Sequence, residues 1–356
     1  MEIARGTDRK LLAIACWRFT CRTLLLVGVV YVAQLLFVNI PALPTLGGYL
    51  FIAPGLTFSK LLVLATSLLV LHASEKYIRE HTRPLLEYPI IVVIGVLLLL
   101  VLVASNNLMT VFFSLAGFSL SLYILILFDV TDRASREAAL KYFYLSAMSS
   151  GLLLMGTFLL YSVVGSANYF LIDTFFFTQD LDYDTKSTVC AAVVFILFGF
   201  FFKLSAFPGH MWAPEVYEGS PNPVLAFFVL PVKVAIFLTF VRVLNTALTE
   251  ISQFWMPLVA LAAVGSLLWG AFAAVNARKV TRFLAYASIN QMGFLLLGAS
   301  LDTYEALRAT YIYLILYAAM TGGFMLAFLH ISRADGRPLT FLSDFCGLAR
   351  TENAVC

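Results

Sequence analysis

Between Val92 and Val103 the chain runs without a single polar side chain, and comparable apolar runs recur from about residue 24 to residue 331. The hydrocarbon core of a bilayer, about 30 Å thick, is crossed by about 20 residues of helix. On that ruler the sequence predicts spans at 24–40, 57–73, 88–104, 107–128, 140–162, 188–214, 222–245, 254–275, 281–300 and 305–331. A transmembrane β-barrel would require strict alternation of apolar and polar residues, which Val92–Val103 lacks. The predicted fold class is therefore all-α, a polytopic membrane protein with about ten transmembrane helices. Charged residues make up only 12% of the chain, against about 25% for a soluble domain, so a soluble globule is excluded.

No polar or low-complexity linker interrupts the runs, and the whole chain, 1–356, reads as a single membrane domain. Basic residues form no face with interleaved aromatics, so a nucleic-acid partner is not indicated. The cysteines Cys16, Cys21, Cys190, Cys346 and Cys356 form no C-x-x-C pair and read as small packing residues. The spans contain no cluster of metal-ligating side chains, no glycine-rich phosphate loop and no nucleophile triad. Neither a metal nor a cofactor is expected in this chain, and it has no redox chemistry of its own.

Charge in the loops predicts orientation, because basic residues collect on the cytoplasmic side. One side gathers Arg5, Arg9, Lys10, Arg18 and Arg22, then Lys76, Arg79 and Arg83, then Arg133, Arg136 and Lys141, then Arg278, Lys279 and Arg282, and finally Arg333, Arg337 and Arg350. The other keeps Lys60, Lys186, Arg242 and Arg308, with the acidic loop of Asp173, Asp180, Asp182 and Asp184. Both termini are thus expected on the matrix or cytoplasmic side. A cleaved signal is not expected, since the N-terminal segment lacks a small-residue cleavage site.

Lys203 and Lys233 fit in neither set of loops. Lys203 follows the apolar run Ala191–Phe202 and lies near the middle of its span. A charge at that depth costs about 2.5–3.5 kcal/mol on insertion scales, and such residues usually mark ion or proton paths. Lys233 lies beside Pro231 inside the next span. Two protonatable groups on neighbouring helices suggest a proton relay. Just after Lys203, Pro208 and Gly209 predict a helix break, tolerated in a membrane only beside protein or water and typical of transporters. His210 is a further candidate for handing on protons, and equally a structural histidine near a helix end. Glu215 and Glu218 read as solvated or capping residues.

The stretch from Phe202 through Lys203-Leu204-Ser205-Ala206-Phe207-Pro208-Gly209-His210-Met211-Trp212-Ala213-Pro214-Glu215-Val216-Tyr217-Glu218-Gly219 to Val224 resembles the signature of the subunit 2 family of respiratory complex I, the proton-pumping NADH:quinone oxidoreductase. Ala104–Leu108, Ser119–Tyr123, Glu137–Phe143 and Arg282–Ile289 support the resemblance, which extends over about residues 57–350. Tyr217-Glu218-Gly219 favours this family over its sister antiporter-like subunits and over cation/proton antiporters. The resemblance implies an antiporter-like fold of two inverted five-helix repeats, each with a discontinuous helix. It places N-terminal helices in 1–87, a complete first repeat in 88–245 with its discontinuous helix near 188–215, and an incomplete second repeat in 254–356. Lys203 would be the broken-helix lysine and Lys233 the connecting one. Flavin mononucleotide, iron–sulfur clusters and quinone are implied in partner subunits. The implied localisation is the mitochondrial inner membrane, with the bacterial plasma membrane as the alternative, and the implied partners are other membrane subunits of the complex and lipids.

The sequence departs from the family's pattern in three places. Ala116 stands where the family has the glutamate that pairs with the broken-helix lysine. Gln291 stands where a histidine follows Tyr286-Ala287-Ser288 and, unlike histidine, does not titrate. Leu342–Arg350 resembles the segment before the second broken helix, which does not follow, so a separate chain supplying the remaining helices is expected. Three functions stay open: a proton-translocating module of the complex, a spacer in it that no longer pumps, and a component of a cation/proton antiporter.

Overall fold

A computed structural model describes residues 2–37, 42–75, 87–128, 131–179, 182–331 and 340–346, with side chains described from Ile14 onward. The loop charges Lys76, Arg79, Arg83, Arg333, Arg337 and Arg350, the side chains of Arg5, Arg9 and Lys10, Asp180 and Cys356 lie outside the described residues. Helices dominate: α1 (Glu2–Phe37), α2 (Pro54–Ala73), α3 (Glu87–Ala104), α4 (Leu108–Ile126), α5 (Arg133–Val164), α6 (Tyr169–Thr178), α7 (Tyr183–Leu204), α8 (Trp212–Gly219), α9 (Asn222–Ala247), α10 (Ser252–Val275), α11 (Val280–Ala299) and α12 (Tyr304–His330). A short hairpin of β1 (Leu43–Thr45) and β2 (Leu50–Ile52) pairs Leu43 with Ile52 between α1 and α2.

Among the described residues nine helical segments are long and apolar enough to cross a membrane. The tenth expected span is α11, equal in length to α2 but carrying Arg282, Ser288, Asn290 and Gln291, which lower its hydropathy. Two boundaries differ from expectation for a clear reason. Charged residues in the first turns of α1 and α5 read as loop, whereas the helices continue through them, Asp132 capping α5 by accepting from the Ala134 amide at 3.1 Å. The ten-residue α6, too short to span, was not expected at all.

The two ends of the bundle are built differently. At one end the hairpin is stitched to the loops that follow α3 and α5: the Asn106 amide donates to the Tyr49 carbonyl (2.9 Å) and the Tyr169 amide to the Asn106 carbonyl (3.1 Å). At the other end, Lys141 pairs with Glu137 and Glu215 at 2.9 and 2.7 Å, and Lys279 and Arg282 both grip Glu218. Glu215 and Glu218 are thus ion-paired rather than simply solvated. Lys60 and Arg242, expected in loops, instead lie inside α2 and α9, where both reach aromatic rings. Cys16, Cys21 and Cys190 are half-buried and free, whereas Cys346 is exposed and does not serve as a packing residue.

The core of the bundle is α9, whose 26 residues are buried along their whole apolar window. Small residues set the approach of α5 to α7: a Cβ on Gly156 would meet the Ala192 carbonyl oxygen at 2.6 Å, and one on Gly199 would meet Leu153 Cβ at 2.8 Å. Close packing of this kind is how helices associate where lipid removes the hydrophobic drive. It brings the polar side of α5 against the end of α7, where Lys203 sits.

Candidate functional site

The chain between α7 and α8 is broken as expected, but the break begins at Ser205, three residues before Pro208. Ser205 adopts a left-handed conformation (φ 58°), its amide donates to the Phe202 carbonyl (3.0 Å) and the Ala206 amide to the Phe201 carbonyl (2.8 Å). That is a Schellman cap, normally closed by glycine. The Trp212 indole then donates to the Phe202 carbonyl at 2.9 Å, supplying a partner where the helix has run out. Gly209 lets the returning chain touch the helix it left, since a Cβ there would stand 2.7 Å from Phe202 Cα. The Phe207 amide donates to Ser266 Oγ (2.8 Å), tying the break to α10. Pro208 and Gly209 therefore shape the turn, and the cap at Ser205 ends the helix.

Lys203, in the last turn of α7, is 7% exposed, and its ammonium donates to Ser119 Oγ (2.7 Å), Ser146 Oγ (2.6 Å) and the Ser146 carbonyl (3.4 Å). An ammonium has three N–H donors, so the three oxygens satisfy it. Ser119 is one turn beyond Ala116, and both serines line a groove of about 340 Å3 between α4 and α5 that Ala116 also borders. Lys203 thus sits in a cradle of hydroxyls rather than beside a carboxylate. Among the described residues no carboxylate comes within ion-pairing distance of it or of Lys233.

Lys233 is 1% exposed and follows a π-helical turn, Phe228–Val232. Pro231 lacks the amide that would close a regular turn, and the Tyr317 hydroxyl donates to the Val229 carbonyl (2.6 Å) inside this widened segment. Lys233 donates to Ser288 Oγ (2.8 Å) and lies 5.9 Å from the centre of the Tyr217 ring.

Both lysines border one cavity of about 10 Å3, whose walls also include Ser205, Tyr217, Tyr142 and Trp212. The hydroxyls of Ser205 and Tyr217 are buried there without a hydrogen-bond partner. The remaining walls are mainly apolar, and a void of about 10 Å3 is the smallest that holds one water molecule. Ser119, Ser146, Ser205, Tyr217 and Ser288 were missed in the sequence. Serines and tyrosines in apolar helices read as packing: Ser119, Ser205, Tyr217 and Ser288 lie inside the motifs that carry the resemblance without being singled out there as site residues, and Ser146 lies in none of them.

His210 is not part of this arrangement. Its ring is 1% exposed, stacks on Phe207 (5.7 Å between centroids) and meets Trp269 (5.1 Å), on the side of the break facing α10. The Gln291 side chain is likewise engaged elsewhere, accepting from the Tyr313 hydroxyl. No group of side chains that could hold a metal ion occurs among the described residues.

A bundle of membrane-spanning helices, one of them broken beside a buried lysine that borders the same cavity as a second lysine, defines an all-α polytopic membrane protein with a discontinuous helix. Residues 105–355 match the family described as NADH:quinone oxidoreductase/Mrp antiporter, TM, and the chain belongs to that family. It is 36% identical over 312 residues to NADH-quinone oxidoreductase subunit N of Parvibaculum lavamentivorans, an alignment that takes in 87% of this chain and 63% of that one. The chain spans about three-fifths of the length of such curated relatives. Among solved structures it is similar to a chain of respiratory complex I from Thermus thermophilus (TM-score 0.77, 25% identity, covering 100% of this chain and 75% of that chain). It shares its fold with a chain of the archaeal membrane-bound sulfane sulfur reductase (TM-score 0.78, 20% identity, covering 96% and 72%).

Proposed function

We propose that this chain is an antiporter-like, proton-translocating membrane subunit of a respiratory NADH:quinone oxidoreductase, and that a proton passes between Lys203 and Lys233 by way of Ser205, Tyr217 and Ser288. The observation that carries this reading is the shared cavity, bordered by two buried lysines and by two hydroxyls without a hydrogen-bond partner. A hydroxyl both donates and accepts, so it passes a proton on without holding charge. A proton leaving Lys203 reaches the Ser205 and Tyr217 hydroxyls through a water in the cavity, then Ser288, which is already hydrogen-bonded to Lys233. Lys203, with three acceptors against one for Lys233, is where the proton rests.

The energy for the transfer comes from partner subunits, which carry the flavin mononucleotide, iron–sulfur clusters and quinone; this chain supplies the proton path. The names of its relatives support the assignment. The relatives are bacterial, which favours an energy-conserving bacterial plasma membrane over the mitochondrial inner membrane expected from the sequence. Orientation with both termini on the cytoplasmic side is supported by the clustering of Lys141, Lys279 and Arg282 at one end. Every residue of the relay lies between positions 119 and 288.

A second reading, a spacer that does not pump, is favoured by Ala116: the cradle around Lys203 offers hydroxyls and no anion to shift the lysine's charge. The two readings separate on Lys203→Ala in the assembled enzyme, with protons moved per NADH oxidised as the readout. A fall in that ratio with NADH oxidation retained supports the relay, and an unchanged ratio supports the spacer. Recovery of the chain without flavin and iron–sulfur subunits would instead indicate a cation/proton antiporter.

A further inference from the structure

At the end of the bundle that holds the hairpin, a groove of about 1030 Å3 opens between α2, α6, α9 and α12. Its walls are mainly apolar, formed by side chains such as Phe51, Leu56, Phe170, Leu238 and Leu307, and Arg242 on α9 is the one charged residue among the described residues that line it. Arg242 donates to the Val103 carbonyl (3.1 Å) and to Asn106 Oδ1 (3.3 Å), while its guanidinium lies 5.5 and 5.7 Å from the rings of Phe51 and Tyr169. A guanidinium carries five N–H donors, so most of them are left over, and among the described residues no carboxylate pairs with it. Asn245 Oδ1 is buried and accepts from nothing.

Arg242 is set back from the end of α9 by about 7.5 Å at 1.5 Å per residue. An apolar trough with unneutralised donors near its membrane-surface end matches a molecule with apolar chains and an anionic head. We propose that this groove is a binding site for one anionic glycerophospholipid, its phosphate held by the remaining N–H groups of Arg242 and its acyl chains lying between α2, α6 and α12. Free phosphate would leave the walls exposed, and a purely apolar segment of another polypeptide would leave the guanidinium unpaired. The site is separate from the lysine relay and independent of proton transfer.

Native mass spectrometry of the full chain, titrated with phosphatidylglycerol and with diacylglycerol of the same acyl chains, tests the assignment. Wild type is expected to retain one phosphatidylglycerol at least about tenfold more tightly than diacylglycerol, the scale of a charge-assisted hydrogen bond. Arg242→Gln should reduce that preference to near unity. Because Arg242 also caps α3, Gly55→Phe provides a second variant: Gly55 borders the groove and a Cβ there meets nothing within 4 Å. It should obstruct the groove and lower phosphatidylglycerol retention with the Arg242 hydrogen bonds intact. Equal retention of the two lipids by wild type, undiminished phosphatidylglycerol binding in Gly55→Phe, or a polypeptide in the groove when the chain is isolated with its partners would overturn the proposal.

Discussion

Lys203 Nζ lies 2.7 Å from Ser119 Oγ, on the turn of α4 immediately after Ala116. A lysine buried near mid-membrane is tolerated when its donors find oxygen, and Ser119 and Ser146 from two other helices provide it. Removing one hydrogen bond to a buried charged group costs about 1.5–3 kcal/mol. Ser119→Ala combined with Ser146→Ala is therefore expected to reduce proton movement by tenfold or more on that scale, measured as quenching of a pH-sensitive dye in inverted vesicles. Movement at the wild-type rate would mean that the cradle is not part of the path.

Ser205 separates stability from function. A non-glycine residue in the left-handed region costs about 1–2 kcal/mol, so Ser205→Gly should stabilise the chain by about 1 kcal/mol in thermal unfolding. The same change removes an unpartnered hydroxyl from the cavity between the lysines, and proton transfer should fall. A variant that is more stable and equally active would remove Ser205 from the relay.

Two glycines in the same bundle should behave in opposite ways. Gly209→Ala places a Cβ 2.7 Å from Phe202 Cα, and overpacking of that kind typically costs about 1–3 kcal/mol. Gly151→Ala, in α5 with nothing within 4 Å of the new Cβ, should instead gain up to about 1 kcal/mol from helix propensity. Melting temperatures of the two variants in one detergent check both signs.

Much of this molecule was legible in the sequence, for reasons that also set the limit. Apolar runs long enough to cross a bilayer predicted the helices because lipid leaves the backbone few alternatives, and Lys203 and Lys233 stood out because a charge at that depth is costly. The position of the break was read three residues late: proline and glycine are visible signals, whereas the cap at Ser205 is a hydrogen-bond pattern on a residue that rarely adopts it. Ser119 and Ser146 were invisible as ligands, since they reach Lys203 from 84 and 57 positions away. His210, for which the sequence left a relay role and a structural one equally open, is turned toward Trp269 by the fold.

Glu218 gives a pH signature at the end of the bundle outside the spans. Partial burial pushes its carboxyl up, but hydrogen bonds and charge from Lys279 and Arg282 outweigh this and hold it below the ordinary carboxylate range. A depressed carboxylate contributes stability above its unfolded value of about 4.3, and that contribution is lost as the pH falls through the folded value. Lys279 and Arg282 are 44% and 49% exposed, so solvent screening keeps the pairs below about 1 kcal/mol. Glu218→Gln should accordingly lower the melting temperature slightly at pH 7, and the difference from wild type should shrink as the pH falls below about 4. A difference that grew on acidification would contradict this sign.

The most direct test of the shared path is a double-mutant cycle on proton translocation with Lys203→Met, Lys233→Met and the pair together, electron transfer being monitored in the same vesicles. If both lysines carry the same proton in series, either single change abolishes most of the flux and the double variant loses no more than the singles, a strongly non-additive result. Losses that multiply in the double variant, or singles that translocate normally, would show that the two lysines do not share one path.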